Sequence, residues 1–432
     1  MRNIIVVAFQ LHYSKGSECA VAWDYVKHMS RDNKLTVLYG SSAGHHDIGN
    51  TKDMEDYAAE NPVDNVRFIA VKPSTPSKNW DFSLRGIRNF YKEYQGWHRD
   101  VRDKVCELIK SERYDIIHYL GPIGFNEPGF LYNLPVPYIW GPIGGMGSVP
   151  KGMLLTSDFK YGSVGGQKLI LKTLIARWRF FTNSRVRRAL CDSDVVIGAI
   201  TEHVRTIESA IGRNHHSVVR YLPENCMNEV YELNRQKFKG EKINMIFIGW
   251  METRKAPMII LEALVKMGDK ARLLHVNFLG SGPMKHRCEQ FVRERGLEGI
   301  VTIHGRIERS EVFKMISGAQ MMLLPSLNDA NTTVVWEAMA HAVPTLCLDH
   351  CGMHDTIKEG SGVKIDVSSW NKVVNHVAME LRKIVETPRL LEEMAVQLLE
   401  DRKEYSWERR REKFEEIYTL AEEQFKKRKE LN

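Results

Sequence analysis

The feature that most limits the folds open to this chain is a repeated alternation of short apolar runs with longer amphipathic segments. The runs are rich in Val, Ile and Leu and have the length of buried strands, whereas the segments between them show the 3.6-residue apolar period of helices. Strands that alternate with helices form parallel sheets with crossover helices. The sequence therefore predicts an α/β fold.

The alternation occurs twice, because a polar stretch at residues 232–242 separates two series of runs. A chain of 432 residues also exceeds the size at which a single core keeps growing. We expect a first domain over residues 1–222 and a second over 223–404, with a last helix, 405–432, that packs back on the first. The predicted strands are 4–9, 35–39, 66–71, 116–119, 138–140 and 195–200, followed by 245–248, 276–279, 301–304, 321–324 and 345–348.

Composition excludes several other classes of protein. Apolar residues make up 43% of the chain and charged residues 27%, as in ordinary globular proteins. The first apolar run is too short to span a membrane. The seven cysteines are odd in number and scattered, so they predict no disulfide framework and fit a reducing, cytoplasmic setting.

One stretch of the chain is strongly basic. No acidic residue occurs from residue 159 to 191, and within it residues 168–188 interleave Lys and Arg with Leu, Ile, Trp and Phe. Such a helix fits an anionic membrane surface. It fits equally well a domain helix whose long cationic side chains cover an exposed face. No nucleic-acid partner is expected, because no recognised binding module accompanies the charge.

Ligands of parallel sheets collect beyond the carboxyl ends of the strands. After the first predicted strand, Gly16 leads into a helix that opens near Ser17, where free amides suit a phosphate; a tight turn with an N-cap explains the segment equally well. His118 stands at the end of the fourth strand, and a glycine-rich loop, 141–147, follows the fifth. A lone histidine in such a place is more often structural than catalytic.

A pair of adjacent cations follows the first strand of the second series. Gly249 ends that strand, and Arg254 and Lys255 come shortly after it, with Glu252 as the only acid nearby in sequence. Paired cations suit a diphosphate. Taken alone, the segment also fits an ordinary loop.

The most informative segment covers residues 325–340. A strand is followed by a polar loop that contains Asp329, and a helix with capping residues begins near Asn331, Thr332 and Thr333. Glu337 lies about one turn into this helix, among residues that read as core, so its carboxylate needs hydrogen-bond donors. The hydroxyls of a ribose would supply them, and so would a structural salt bridge.

The spacing Asp329-x7-Glu337, followed by Ala338-Met339-Ala340, resembles the E-x7-E region of retaining glycosyltransferases of family 4, which have the GT-B fold. The resemblance extends over most of the chain, and part of it is to bacterial members of the family that make polysaccharides. Its other parts are Gly16-Ser17-Glu18, Asp115-Ile116-Ile117-His118, Trp140 to Gly145, Gly249 to Lys255, Gly280 to Pro283, Gly305 and Ser406-Trp407.

This resemblance implies two Rossmann-like, doubly wound domains that face a cleft. It implies that Glu337 binds the nucleotide ribose, that Asp329 faces the donor sugar, and that Arg254 and Lys255 clamp the diphosphate. His118 would approach the sugar from the first domain. The catalytic set is thus His118, Arg254, Lys255 and Asp329, and the donor-binding set is Gly16, Gly249, Asn331, Thr332, Thr333 and Glu337.

Three positions depart from the family pattern. Asp329 replaces the first glutamate and shortens the reach toward the sugar. Trp250 stands where the family has an arginine, which leaves Arg254 as its substitute. Cys351 occupies the first glycine of a G-G-x-x-E turn, and Asp355 its acid. These departures bear on the choice of donor sugar and on activity.

The resemblance implies a retaining hexosyltransferase, or a related enzyme, that moves a sugar from a nucleotide-sugar to a glycan without a metal or cofactor. We expect the glycan to be lipid-linked and the process to be polysaccharide biosynthesis. The expected location is cytoplasmic and peripheral at the inner face of the plasma membrane. The alternatives are a GT-B sugar-nucleotide epimerase and a non-catalytic GT-B protein that binds a nucleotide or a partner. A glycosidase is disfavoured, because no second acid is evident across the cleft.

Two motifs that suggest a metal are set aside. Asp192-Ser193-Asp194 has the letters of a metal-binding D-x-D but precedes its strand, at the wrong end of the sheet. A second set has zinc-like spacing but fits a strand-end turn better. It comprises Cys347, His350, Cys351 and His354.

Overall fold

The computed structural model describes residues 1–15, 18–42, 48–74, 84–122, 124–212 and 215–431. Its contacts divide the chain into two compact units. Unit 1 comprises residues 1–147, 176–224 and 407–432, and unit 2 comprises residues 148–175 and 225–406. None of the described helices combines the length and the apolarity that crossing a bilayer requires.

Unit 1 is built on a parallel sheet of seven strands in the order β3-β2-β1-β4-β5-β6-β7. Six of these strands coincide with the predicted apolar runs to within a few residues. The seventh, β7, was not predicted, because this edge strand is only half-buried and does not form an apolar run. The strands are β1 (Asn3–Ala8), β2 (Lys34–Tyr39), β3 (Val66–Ala70), β4 (Ile116–Gly121), β5 (Tyr138–Ile143), β6 (Val195–Gly198) and β7 (Val218–Tyr221).

Helices connect these strands, and those that pack in unit 1 bury apolar faces against its sheet. The core of unit 1 includes Trp97 and Trp140, both almost fully buried. The helices from the first to the seventh strand are α1 (Glu18–Met29), α2 (Lys52–Glu60), α3 (Leu84–Ser111), α4 (Lys151–Tyr161), α5 (Gly165–Thr182), α6 (Ser184–Asp192) and α7 (Thr201–Ile211).

Unit 2 contains a parallel sheet of six strands in the order β10-β9-β8-β11-β12-β13. The half-exposed edge strand β13 is again the one that the sequence did not predict. The strands are β8 (Ile243–Ile248), β9 (Leu274–Leu279), β10 (Val301–Gly305), β11 (Met321–Leu324), β12 (Thr345–Leu348) and β13 (Gly362–Ile365). The helices are α8 (Pro257–Met267), α9 (Lys285–Glu294), α10 (Arg309–Gly318), α11 (Thr333–Ala340), α12 (Cys351–Thr356), α13 (Trp370–Glu386) and α14 (Arg389–Asp401).

The first predicted domain was continuous, but the structure assigns residues 148–175 to unit 2. The carboxylate of Glu262 on α8 explains this difference. It accepts hydrogen bonds from the Lys160 ammonium at 2.8 Å, from the Tyr161 hydroxyl and from the Trp370 indole N–H at 2.7 Å. Met153 and Leu154 on α4 are fully buried in the same core. Helix α4 therefore packs in unit 2, although in the sequence it lies between two strands of unit 1.

The last helix, α15 (Trp407–Leu431), packs on unit 1. Its Tyr418 is fully buried, and its Arg410 donates to the carbonyl oxygens of Pro223 at 2.6 Å and Glu224 at 2.9 Å. Near its end, Arg428 donates to the carbonyl oxygen of Asp192 at 2.7 Å. The apolar positions of this helix thus find their partner in the first sheet.

In each sheet, successive strands are added first on one side of the first strand and then on its other side. This switch point lies between β1 and β4 in unit 1 and between β8 and β11 in unit 2. Crevices beyond the carboxyl ends of strands at such points are where open parallel sheets bind ligands. The fold therefore directs attention to the residues that follow these four strands.

Candidate functional site

The residues that follow β8 and β11 form one cluster at the switch point of unit 2. Gly249 leaves β8 with a φ of 154°, and the chain turns into a short 3-10 helix, Thr253–Lys255. Ala256 then adopts a left-handed conformation, and Pro257 begins α8. This sharp turn places the side chains of Arg254 and Lys255 beside the loop that follows β11.

Both cations contact Asp329. The Arg254 guanidinium donates to one carboxylate oxygen of Asp329 at 2.6 Å, and the Lys255 ammonium donates to the other at 2.6 Å. Arg254 also donates to Glu252 at 2.7 Å and to the carbonyl oxygen of Asn328 at 2.9 Å. The sequence predicted that the two cations are free to meet a diphosphate. This prediction is wrong, because both cations already contact carboxylates. Asp329 and Glu252 balance their charge.

Burial makes these ion pairs stronger than pairs on an open surface. The side chains of Lys255 and Asp329 are only 7% and 10% exposed, so water screens their attraction poorly. Burial alone would lower the pKa of Arg254, but the carboxylates of Asp329 and Glu252 raise it above its ordinary value. The Arg254 guanidinium therefore keeps its charge at neutral pH.

Close backbone contacts fix the loop that carries Asp329. The amide of Gly352 donates to the carbonyl oxygen of Asp329 at 3.0 Å. A Cβ atom on Gly352 would lie 1.6 Å from the carbonyl oxygen of Ala330, so only glycine fits at this position. Cys351, which departs from the family's glycine, adopts the left-handed φ of 51° that a glycine would take more easily.

Helix α11 begins directly after this loop. Thr332 is its N-cap residue, but no side chain caps the helix, and the hydroxyl of Thr332 lies 3.4 Å from the Lys255 ammonium. Asn331 accepts a hydrogen bond from the Trp336 indole at 2.5 Å. The first amides of the helix, at Thr333 and after it, are therefore not covered by a capping side chain and lie beside a buried cation. Such helix starts favour anions.

Glu337 lies one turn further into α11 and is 12% exposed. One of its carboxylate oxygens accepts a hydrogen bond from Arg309, at the start of α10, at 2.7 Å. Arg309 is 70% exposed, so this pair is held from the solvent side. The salt bridge that the sequence left open is thus present, and the second oxygen of Glu337 has no partner among the described residues.

His118 does not contribute to an open site. Its side chain is fully buried on β4, its Nε2 lies 2.8 Å from the carbonyl oxygen of Gly141, and its Nδ1 lies 3.2 Å from the hydroxyl of Tyr25. Because both ring nitrogens contact the protein and none of the ring is accessible, the predicted approach of His118 to a sugar is corrected. The residue links β4, β5 and α1 within the core.

The burial of His118 predicts an acid-sensitive contribution to stability. Burial lowers the pKa of His118 to about 4, whereas an unfolded histidine titrates near 6.5. The unfolded chain therefore binds this proton more tightly, and the stabilisation present above about pH 6.5 is lost as the pH falls toward 4. At about pH 5 the expected loss is about 2 kcal/mol from this residue.

We expect the free energy of unfolding of His118→Gln to fall by about 2 kcal/mol less than that of the parent between about pH 7 and about pH 5. Urea unfolding followed by tryptophan fluorescence at about pH 7 and about pH 5 measures it. Histidine at position 215, which is exposed, provides the control substitution His215→Gln. Equal pH dependences for the parent and His118→Gln would show that His118 titrates freely and is accessible after all.

The remaining sequence candidates lie elsewhere. Gly16 is outside the described residues. Asp192 and Asp194 precede β6, and the carboxylate of Asp194 accepts a hydrogen bond from the amide of Tyr138 at 2.8 Å and lies 3.3 Å from Arg428. Within the described ranges, no three His, Cys, Asp or Glu side chains are close enough together to hold a metal ion.

Two residues of the cluster had no assigned role in the sequence. Glu252 appeared only as an acid near the cations, and its contact with Arg254 depends on the 3-10 turn. Arg309 gave no signal, because it is 28 residues from its partner Glu337 and lies on a different helix. Pairs of this kind follow from the order of strands in the sheet and not from local sequence.

Comparison with known proteins shows a similarity that lies within unit 2. Residues 231–395 match the sequence profile of the family described as "Glycosyl transferases group 1". This range lies within unit 2 and includes the cluster around Asp329. Residues 231–395 are therefore similar to this family of glycosyltransferases.

Two curated relatives are named as glycosyltransferases as well. The chain is 24% identical over 165 residues to "Alpha-D-kanosaminyltransferase" of Streptomyces kanamyceticus, a match that covers 38% of this chain and 42% of the relative. It is 24% identical over 130 residues to "Putative colanic acid biosynthesis glycosyltransferase WcaL" of Salmonella typhimurium, covering 29% and 32%. The chain thus aligns with less than half the length of each of these two relatives.

Solved structures give the fold of the whole chain. The pneumococcal O-GlcNAc transferase GtfA, solved in complex with UDP and GlcNAc, superposes with a TM-score of 0.61 over 97% of this chain and 99% of that one. Sequence identity is 12%, so the likeness concerns the fold alone. With its two parallel Rossmann-like sheets, the chain has the GT-B fold, as predicted.

Proposed function

We propose that this protein transfers a sugar from a nucleotide-sugar donor to a glycan acceptor, with retention of the anomeric configuration and without a metal. The observation that carries the proposal is the cluster at the switch point of unit 2. There, Arg254 and Lys255 lie next to the uncapped start of α11, and Lys255 is buried. Fixed cations and helix amides are what a departing diphosphate needs.

The pairing with Asp329 defines how a donor would use this cluster. A diphosphate that enters the site replaces the Asp329 carboxylate as the partner of Arg254 and Lys255. Asp329 is then free to face the donor sugar. Negative charge grows on the diphosphate as the bond from the anomeric carbon to phosphate oxygen breaks. The acceptor hydroxyl attacks from the same face, and its proton passes to the departing phosphate oxygen. Cations that are already in place stabilise this charge without reorganisation.

Donor binding would also involve Glu337. Its second carboxylate oxygen has no partner among the described residues, and it lies on the same helix whose start faces Lys255. A ribose that donates a hydroxyl to this oxygen would satisfy it while Arg309 keeps the other oxygen. Gly249, Asn331, Thr332 and Thr333 would complete the donor site through their backbone.

We propose a lipid-linked glycan as the acceptor and polysaccharide biosynthesis as the process. Support comes from the name of one relative, which refers to colanic acid biosynthesis, and from the basic, apolar segment 168–188. A cytoplasmic protein that works on such an acceptor would lie at the inner face of the plasma membrane.

The direct test of this function begins with the donor. Sugar nucleotides are screened for a rise in melting temperature, because a ligand that binds the folded state stabilises it. The donors found are then incubated with the protein, and released nucleoside diphosphate is measured. The anomeric configuration of the transferred sugar is read by NMR. Absence of both binding and turnover with all common sugar nucleotides would refute the proposal.

Metal independence is a separate prediction. We expect turnover to survive EDTA, because the two cations and the helix start supply positive charge where a metal would otherwise be needed. The measurement compares initial rates with EDTA and with added magnesium or manganese. Activity that vanished in EDTA and returned with either metal would contradict this assignment and would require Asp192 and Asp194 to be reconsidered.

A non-catalytic role is the second candidate, and one observation favours it. The charges of Arg254 and Lys255 are balanced by those of Asp329 and Glu252, which reduces the attraction for a diphosphate. A nucleotide- or partner-binding protein would tolerate this balance. Hydrolysis or transfer of a bound donor by the purified protein would exclude it.

A further inference from the structure

Helix α5 carries an apolar surface that no part of the described chain covers. Its outward side chains are Leu171, Leu174, Ile175, Trp178 and Phe181, which we call the α5 crest. Leu171 is 60% exposed, Trp178 66%, and the other three between 41% and 45%. Spacings of three and four residues place these side chains on one side of the helix, and Phe180 on the opposite side is fully buried. The helix therefore presents apolar residues to solvent where polar ones are usual.

Cations border the crest. Lys168, Lys172 and Arg179 are exposed, and their positions place them together along one edge of it. No acidic residue occurs anywhere on α5. Two neighbouring cations are not available to a ligand, since Arg177 donates to the carbonyl oxygen of Met146 at 3.1 Å and Arg185 pairs with the buried Glu127 at 2.5 Å.

We propose that the α5 crest docks on an anionic lipid bilayer. Trp, Phe and Leu on one face with Lys and Arg beside them are the composition of helices that lie in the interface of a membrane. Tryptophan in particular favours the depth of the lipid headgroups. This inference deepens the proposed function, on which it rests for its biological sense, because it would bring the enzyme to a lipid-linked acceptor.

Charge selects this occupant over a second copy of the chain. Two α5 crests that faced each other would bring two rows of cations together without an acid on either helix, and like charges repel. An anionic bilayer instead attracts each cation near its surface. All residues of the surface lie on one continuous helix, α5.

Sedimentation of the 432-residue chain with vesicles tests the proposal. We expect binding to vesicles of phosphatidylcholine and phosphatidylglycerol in equal amounts, weaker binding in high salt, and little binding to phosphatidylcholine alone. The triple variant Lys168→Gln, Lys172→Gln, Arg179→Gln should reduce the partition coefficient on the order of 10²-fold. The double variant Leu171→Ser, Trp178→Ser should reduce it about tenfold or more.

Matched controls separate the surface from general effects of charge and apolarity. Lys266, Lys314 and Lys372 are exposed on other helices, and their replacement by Gln removes the same charge. Met379 and Val396 are 52% and 41% exposed, and their replacement by Ser removes apolar side chains elsewhere. Both control variants should sediment as the parent does.

Three outcomes would overturn the proposal. The first is that the parent does not sediment with anionic vesicles at low salt, and the second is that parent and triple variant sediment equally. The third is that the parent is a dimer, that the Leu171→Ser, Trp178→Ser variant is a monomer, and that neither binds vesicles. Donor hydrolysis without vesicles is measured in parallel. A parent that hydrolyses donor but does not bind vesicles would refute the docking surface and leave the proposed function standing. A parent that binds vesicles but no donor would refute the proposed function and leave the docking surface standing.

Discussion

Replacing Lys255 by Ala is expected to lower turnover by on the order of 10²-fold, as loss of one preorganised donor to a developing charge typically does. The ammonium of Lys255 is 7% exposed and lies beside the start of α11, so a diphosphate bound there would meet its charge with little screening. Affinity for the donor should fall less than the rate, because charge on the leaving oxygen grows toward the transition state.

The structure makes this variant informative. Asp329 keeps Arg254 as a partner at 2.6 Å when Lys255 is removed, so the carboxylate is not left unpaired and the loop should stay in place. Lys266→Ala on α8 removes the same charge from an exposed position and serves as the control. Single-turnover rates at saturating donor measure the effect. A Lys255→Ala rate close to that of the control would remove Lys255 from the leaving-group site.

Glu337→Gln is expected to weaken nucleotide-sugar binding by roughly 1.5 to 3 kcal/mol, about ten- to 150-fold, which is the usual value of a hydrogen bond to a charged group. The neutral amide keeps the shape of the side chain, but it accepts hydrogen bonds from a ribose more weakly than a carboxylate does. Isothermal calorimetry with the donor found in the screen measures the change.

The salt bridge to Arg309 requires a control. If Glu337 serves only this pair, Arg309→Gln and Glu337→Gln should destabilise the protein equally and leave nucleotide affinity unchanged. If Glu337 binds ribose, Glu337→Gln alone should lose affinity. It should also lose the preference for the ribonucleotide over its 2′-deoxy or 3′-deoxy counterpart. Retention of both affinity and preference in Glu337→Gln would leave Glu337 a structural residue.

The sequence by itself determined the fold class and most of the strands. Eleven apolar runs with helical segments between them predicted eleven of the strands. Nine of these are inner strands of the two sheets, which must be apolar throughout because both of their faces are buried. The strands it did not predict, β7 and β13, are edge strands of four residues, too short and too exposed to form an apolar run. The same logic predicted a helix that begins near Thr332, since a polar loop and a capping residue mark a helix start without reference to distant parts of the chain.

Only the tertiary structure decided which charges meet and which side chains reach solvent. Asp329 follows Lys255 by 74 residues, and the two come together because β8 and β11 are neighbours in the sheet. His118 looked like a site residue by its position after a run of apolar residues, yet the packing of α1 and α15 around β4 buries it completely. Conversely, the sequence showed cations among apolar residues on α5 but not which of them face outward. Local sequence fixes backbone periodicity, whereas contacts between distant segments depend on how sheets and helices pack.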